Sequence, residues 1–329
     1  MDHEIRGHRW EWAPETVYLG GGTPSQIPLE ALGRLLAGIP GRAWAEATIE
    51  AAPGSLTTER VSAWRDMGIN RVSLGVQSFV KQELAKTGRK HDAATVASDV
   101  ALLRGHGITN INIDLIAGLA CQTKESWRAS LDWIEQIAPP HVSVYLLEID
   151  EDSRLGLEVI QGGPRYGARD VPAGDLVADL YELAVDRLAS LGLARYEISN
   201  FASPGWESKH NLKYWKLEPY AGFGADAHSF DGTMRQANAE SAVDYVERWR
   251  RHDSPVVETT TANLSEERFF IGLRLAEGVE PLKEEWQHWS GPIERFLEAG
   301  LLETNGRRLR LSKEGILLSN EVLQEFIHA

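Results

Sequence analysis

Three segments of the chain repeat one pattern. Gly68-Ile69-Asn70-Arg71-Val72-Ser73-Leu74, Gly107-Ile108-Thr109-Asn110-Ile111-Asn112-Ile113 and Gly192-Leu193-Ala194-Arg195-Tyr196-Glu197-Ile198 each place an aliphatic residue after glycine and apolar residues four and six positions on. A glycine that accepts the left-handed region ends a helix, so the pattern reads as a helix running out into a strand. Val96, Val100 and Leu103 stripe a helix before Gly107, and Leu176, Leu180, Leu183, Leu188 and Leu191 do so before Gly192. Further strands are predicted from Val17, Ala47 and His141. Six strands with a helix between successive pairs imply a parallel α/β sheet, either open or closed as a barrel. Strands of such sheets are usually apolar on both faces. Here Thr48 and Glu50, Ser73, Gly75 and Gln77, and Asn112 and Asp114 recur at period two, which predicts one polar face around a ligand.

Composition removes several classes of function. The 329 residues are 43% hydrophobic, enough for a full core, and carry a formal charge of −14, which argues against broad binding to a phosphate backbone. The one cysteine, Cys121, excludes an intramolecular disulfide and cannot alone build a Cys₄ zinc site or hold an iron–sulfur cluster. Met1 to Trp12 lack the apolar run of a signal peptide and no stretch suits a spanning helix, so a cytoplasmic setting is expected. The pattern changes near Pro204. Residues 1–203 read as the α/β domain and 204–261 as a connecting region, with loops and short strands over Pro204 to Asp231 and a helix over Val243 to Arg250. Residues 262–329 read as a small winged-helix-like α+β domain whose hairpin turns at Asn305-Gly306. Eight basic against twelve acidic residues over 262–329 favour a structural or lid role over nucleic-acid binding.

Polar residues stand where parallel α/β folds place their chemistry, at the strand ends. Gly20-Gly21-Gly22-Thr23-Pro24-Ser25 follows the strand at Val17; its backbone N–H groups suit a carboxylate or phosphate, though many turns are equally glycine-rich. Glu50 ends the next strand and can accept from an amine or ribose hydroxyls, or stand as a surface acid. Gln77 serves a ligand or fills a barrel. Arg89 lies on a basic loop that is also readable as a solvated face. Asp114, between Ile113 and Leu115, needs a partner because an unpaired carboxylate is costly to bury; ligand binding is the favoured reading.

Taken in order, GGGTPS, ExxPG, RVSLGVQSF, GRKH, NIDLIAGL and HVSVYLLE resemble the radical S-adenosylmethionine (radical SAM) enzymes of the coproporphyrinogen dehydrogenase group. Tyr196-Glu197-Ile198-Ser199-Asn200-Phe201-Ala202, His210-Asn211-Leu212-Lys213-Tyr214-Trp215 and Tyr220-Ala221-Gly222-Phe223-Gly224 resemble one branch of it, the heme chaperone HemW family. The resemblance covers nearly the whole chain from Val17. It implies a partial (β/α)6 barrel, S-adenosylmethionine (SAM) across the strand ends, and a 4Fe-4S cluster bound to the methionine part of SAM. Gly21, Gly22 and Thr23 would meet the methionyl end, and Glu50, Gln77, Arg89 and Asp114 the remaining polar and adenosyl groups. The HNxxYW residues His210, Asn211, Tyr214 and Trp215 would contact heme, with His210 on the iron and His228 as a second candidate. A heme-accepting protein is the implied partner, and a homodimer is allowed.

The sequence departs from the family pattern in places. Family members carry CxxxCxxC several tens of residues ahead of GGGTPS; here 19 residues precede Gly20 and none is cysteine. The expectation is a member whose first strand and cluster ligands are missing from this sequence. Ala120-Cys121 replaces a common Pro-Gly or Pro-Asp, and Asp226 replaces a small residue, putting a carboxylate beside His228. Two functions stay open. HNxxYW favours a heme chaperone; the alternative is an oxygen-independent coproporphyrinogen III oxidase, in which a SAM-derived radical takes hydrogen from propionate side chains before decarboxylation. An inert barrel is the third reading.

Overall fold

The three repeated glycines behave as predicted in the computed structural model, which describes residues 1–149, 153–163 and 165–327. Gly68, Gly107 and Gly192 take φ of 93°, 80° and 79°. The next N–H in each case returns to the carbonyl five positions earlier: Ile69 to Trp64 (2.9 Å), Ile108 to Leu103 (3.0 Å) and Leu193 to Leu188 (2.9 Å). This Schellman bond satisfies a helix-end carbonyl and turns the chain toward the sheet.

Through Ala202 the elements are α1 (Asp2–Gly7), β1 (Thr16–Leu19), α2 (Leu29–Ala37), β2 (Glu46–Ala51), α3 (Thr58–Asp66), β3 (Arg71–Gln77), α4 (Lys81–Lys86), α5 (Ala93–Gly105), β4 (Asn110–Ala117), α6 (Lys124–Ile137), β5 (His141–Leu146), α7 (Arg154–Ile160), α8 (Gly174–Ser190), β6 (Ala194–Arg195) and β7 (Asn200–Ala202). The chain divides into two units. One comprises Glu15–Ala31 and Ala43–Glu207, the other Met1–Pro14, Leu32–Arg42 and Ser208–Ala329.

The first of these holds a seven-stranded sheet in the order β1-β2-β3-β4-β5-β7-β6. Strands β1 to β5 are parallel neighbours, so the fold class is α/β with a mainly parallel sheet, as predicted. The sixth predicted strand is corrected. It shrinks to Ala194–Arg195 and joins the sheet through β7, which runs antiparallel to both β5 and β6. The cause is a turn at Glu197–Ser199: the Glu197 carboxylate accepts from Ser199 N–H (3.1 Å), and Tyr196 N–H donates to the Asn200 carbonyl (3.1 Å). One sheet face is apolar, with Ile49, Val72, Ile111, Ile113 and Val142 fully buried among helix residues such as Trp64, Val96 and Trp127. Each such side chain contributes about 1.5–3 kcal/mol on burial.

In the other unit, β8 (His228–Phe230), β9 (Met234–Asn238) and β10 (Val256–Thr261) form an antiparallel sheet in the order β10-β9-β8. Helices α9 (Lys209–Trp215), α10 (Ala242–Arg251), α11 (Leu264–Gly272), α12 (Lys283–His288) and α13 (Ser290–Glu298) are followed by the hairpin of β11 (Leu302–Asn305) and β12 (Arg308–Leu311), then α14 (Lys313–Leu317) and α15 (Ser319–Leu323). The expected loops over Pro204 to Asp231 are corrected by α9, which the Ser208 hydroxyl caps by accepting from Asn211 N–H (3.3 Å). The hairpin forms where predicted but closes one residue later. Asn305 pairs with Arg308, leaving Gly306-Arg307 as the turn, with Gly306 at φ 63°. Phe269, Trp289 and Phe326 anchor this C-terminal part, with ring centroids 5.1 to 6.0 Å apart.

Candidate functional site on the polar face of the sheet

Strand register gathers the polar residues. Glu50 pairs with Ser73, Ser73 with Asn112, Asn112 with His141, and Asp114 with Ser143 one row on. Because side chains alternate, these residues share a face with Thr48 and Arg71. The face is graded in depth. Thr48, Arg71, Ser73, Asn112, His141 and Ser143 are buried, whereas Glu50, Gln77, Arg89 and Asp114 toward the carboxyl ends keep partial exposure. Ser73, Asn112, His141 and Ser143 bond to one another, whereas Thr48 Oγ1 and Arg71 Nε have no hydrogen-bond partner among the described residues. Asn112 Nδ2 donates to Ser73 Oγ (2.7 Å) and to Asp114 Oδ1 (2.7 Å), and Ser73 Oγ donates to the Asp114 carboxylate (3.2 Å). Arg71 and Glu46, both buried, pair at 3.9 Å.

At the rim Tyr18 Oη donates to Glu50 Oε1 (2.8 Å). A Cβ on Gly20 would lie 2.8 Å from the Tyr18 ring and 3.1 Å from Glu50 Oε1, so glycine there admits the pair. Burial first, then the Glu50 and Asp114 carboxylates, push the Tyr18 phenol up; burial and Asp114 do the same to Tyr145. Period-two alternation fails at the end of β3. An extra residue bulges between Leu74 and Gln77, and Gln77 takes φ 69°. Its side chain nevertheless returns to the polar face. Gln77 Nε2 sits 3.2 Å from where a Gly75 Cβ would stand, and both terminal Arg89 nitrogens lie 3.7 Å from that point. Arg89 Nη1 donates to the Gly75 carbonyl (2.8 Å) and His91 Nε2–H to the Val76 carbonyl (3.0 Å). Gln77 Oε1 is a buried acceptor without a donor. Such an atom costs free energy unless something outside the chain supplies the hydrogen.

Asp114 is surrounded by protein yet keeps an open edge, as a group lining a cleft does. Burial pushes its carboxyl up to about 6, against donors from Asn112 and Ser73 and the Arg71 charge. Burial also pulls the Arg89 guanidinium down, and Asp114 opposes it. The structure thus brings Glu50, Gln77, Arg89 and Asp114 together. Gly21 and Gly22 follow β1 in an exposed loop at φ 77° and 63°, with open space beyond each; their conformation rather than crowding calls for glycine. Thr23, also exposed, opens the turn Pro24–Gln26, and Arg60 of α3 pins the loop by donating to the Ser25 carbonyl (2.7 Å). Sequence reasoning missed Tyr18 and Tyr145. Both sit at positions of the same parity as Glu50 and Asp114, a signal available from the alternation.

The HNxxYW residues lie on α9. His210 Nε2 is hydrogen bonded to Tyr214 Oη (2.8 Å), and Tyr214 meets Tyr220 edge-on at 4.7 Å. Asn211 and Trp215, one position on from this pair, lie about 100° around the helix. Trp215 is covered by the Arg274 guanidinium at 5.7 Å, so α9 presents two different faces. His228 is exposed at the start of β8. Asp226 takes φ 60°, its N–H donates to the Ala239 carbonyl (2.9 Å), and no ion pair joins it to His228 among the described residues. Cys121 is in a left-handed turn ahead of α6 (φ 68°), its N–H on the Asp170 carbonyl (2.7 Å).

Residues 1–134 match the Radical SAM superfamily and residues 260–318 the HemN C-terminal domain. The chain is 34% identical over 327 residues to the heme chaperone HemW of Lactococcus lactis subsp. lactis, spanning 95% of this chain and 84% of that protein. It is 33% identical over 328 residues to the heme chaperone HemW of Bacillus subtilis, spanning 95% and 85%. Coproporphyrinogen III oxidase (HemN) from Escherichia coli, a radical SAM enzyme, superposes with a TM-score of 0.78 at 19% identity over 95% of this chain and 77% of that one, a likeness of fold alone. With its mainly parallel sheet and both domains matched, the chain belongs to the heme chaperone HemW family within the radical SAM superfamily.

Proposed function

We propose that this chain is a heme chaperone that binds SAM on the polar sheet face, carries heme beside α9 and passes it to an acceptor protein. The observation that carries this reading is the match, over more than four fifths of their length, to relatives named heme chaperones. SAM offers an amine, a carboxylate, a ribose and an adenine. Backbone N–H groups at Gly21 and Gly22 with Thr23 suit the methionyl end; Glu50, Gln77, Arg89 and Asp114 suit the other polar groups. The donor-less Gln77 Oε1 supports a ligand that brings its own hydrogen.

The family implies a 4Fe-4S cluster as well, and the residues present do not fit one. Such a cluster takes three thiolates here besides SAM, the chain has Cys121 alone, and no group of three or more His, Cys, Asp or Glu is placed to hold a metal ion among the described residues. Heme is cargo in this reading. His210 offers an imidazole once Tyr214 Oη gives way, and Tyr214 and Tyr220 offer apolar ring surface; Asn211 and Trp215 flank them on α9. Among the described residues no helix is long and apolar enough to cross a membrane.

Titration of the purified protein with heme tests the proposal. A Soret band that His210→Ala removes, while the far-UV spectrum is kept, is expected. A protein that ignores heme but decarboxylates coproporphyrinogen III would overturn it.

A further inference from the structure

Tyr196 and Asn200 belong to the Tyr196-to-Ala202 motif, which none of the ligand contacts above employs. They begin a line of hydrogen bonds that crosses β5 and β4. Tyr196 Oη is 2.9 Å from His141 Nε2, and His141 Nδ1 is 2.6 Å from Asn112 Oδ1. Asn112 Nδ2 then donates to Asp114 Oδ1 at 2.7 Å. Ser143 braces the middle, donating to Asn200 Oδ1 (2.6 Å) and lying 3.0 Å from Asn112 Nδ2. His141, Asn112, Ser143 and Asn200 are buried.

The donors have one consistent arrangement. Asn112 must turn its amide hydrogens to Asp114, because the flipped amide would set oxygen against carboxylate. Its oxygen then faces His141, whose Nδ1 must carry the hydrogen, and Nε2 is left to accept from Tyr196. Burial, with Arg71 nearby, holds the imidazole neutral, so that tautomer persists. The charged groups around the line are Arg71 on β3, Glu46 on β2 and Asp114 itself.

We propose that Tyr196, His141 and Asn112 are positioning residues for Asp114, clamping Oδ1 so that Oδ2 faces the ligand. The inference rests on the reading of Asp114 as a SAM contact. Asp114 Oδ1 takes the short Asn112 bond (2.7 Å), while the longer Ser73 hydroxyl contact is split between Oδ2 (3.2 Å) and Oδ1 (3.3 Å). A carboxylate free to rotate about its last torsion would present either oxygen and lose the preorganisation that a clamp provides.

Calorimetric SAM titration of Asp114→Asn, Asn112→Ala, His141→Leu, His141→Asn and Tyr196→Phe, with the Asp114 carboxyl followed by ¹³C NMR in ligand-free protein, tests it. Asn112→Ala and His141→Leu should weaken SAM roughly tenfold, the scale of one lost hydrogen bond to a charged group, and Tyr196→Phe about threefold. His141→Asn keeps a donor where imidazole Nδ1 stood and should bind within about threefold of wild type. Asn112→Ala should also raise the Asp114 titration, because a donor to the charged form is gone. If Asp114→Asn weakens SAM while Asn112→Ala and Tyr196→Phe bind as wild type, the positioning role is overturned. If Asp114→Asn itself binds as wild type, the SAM reading fails, and an unmoved Asp114 titration in Asn112→Ala overturns the clamp independently. Tyr196→Phe removes one oxygen atom and keeps the test open should His141→Leu not fold.

Discussion

Replacing Asp114 by asparagine should make the ligand-free protein gain stability on wild type as the pH rises from about 5 past neutrality. The carboxyl is pushed by burial from 3.8 to about 6 in the fold. Each unit corresponds to about 1.36 kcal/mol, so keeping this group ionised costs about 3 kcal/mol in all. The folded state holds the proton up to about pH 6, whereas the unfolded chain releases it near 4. Between these values the native state binds more protons, so stability falls as pH rises. The advantage is fully present below the unfolded value and gone above about pH 7. Asparagine does not titrate, and its lost hydrogen bonds shift the comparison equally at every pH. Urea unfolding at pH 5 and 7.5 should therefore show the variant gaining about 1.4 kcal/mol on wild type between the two, roughly half the total. A difference between the proteins that stays flat across that interval would refute the burial argument. The same variant should bind SAM roughly tenfold or more weakly.

Gly75→Ala leaves the backbone unstrained but puts a Cβ 3.2 Å from Gln77 Nε2, so SAM binding should drop several-fold while the urea midpoint moves by less than about 1 kcal/mol; equal binding would show that Gln77 is not a contact. Tyr18→Phe removes the 2.8 Å bond to Glu50 and should cost about 1 kcal/mol of SAM affinity, read by calorimetry, with unchanged far-UV dichroism. Ala138 ends α6 at φ 47° and ψ 58°, where an L side chain is strained; Ala138→Gly should raise the unfolding free energy by about 0.5–1 kcal/mol, and a loss would contradict that assignment of strain.

Much of this molecule is legible along the chain because the relevant rules are local. A glycine four residues past its helix's last buried apolar residue either accepts a positive φ or it does not, and Gly68, Gly107 and Gly192 all do. Alternation at period two places Thr48, Glu50, Ser73, Asn112 and Asp114 on one face wherever the strands pair in register, which they do through Asn112. The α9 helix also had a local mark, the Ser208 cap, hidden by glycines and aromatic residues on either side.

The remaining features depend on partners far apart in sequence. The bulge that turns Gln77 back over Gly75 arises between β3 and β4; Gly75 within β3 permits it, but the register with β4 fixes it. The insertion of β7 beside β5, which replaces the sixth parallel strand, brings Asn200 to Ser143 and Tyr196 to His141. Those contacts set the tautomer of one side chain and the orientation of another, and with them the Asp114 carboxylate. Periodicity can say which side of a strand a residue occupies. Hydrogen-bond direction and the elevated proton affinity of a buried acid come from the groups that folding brings within 3 Å of each other.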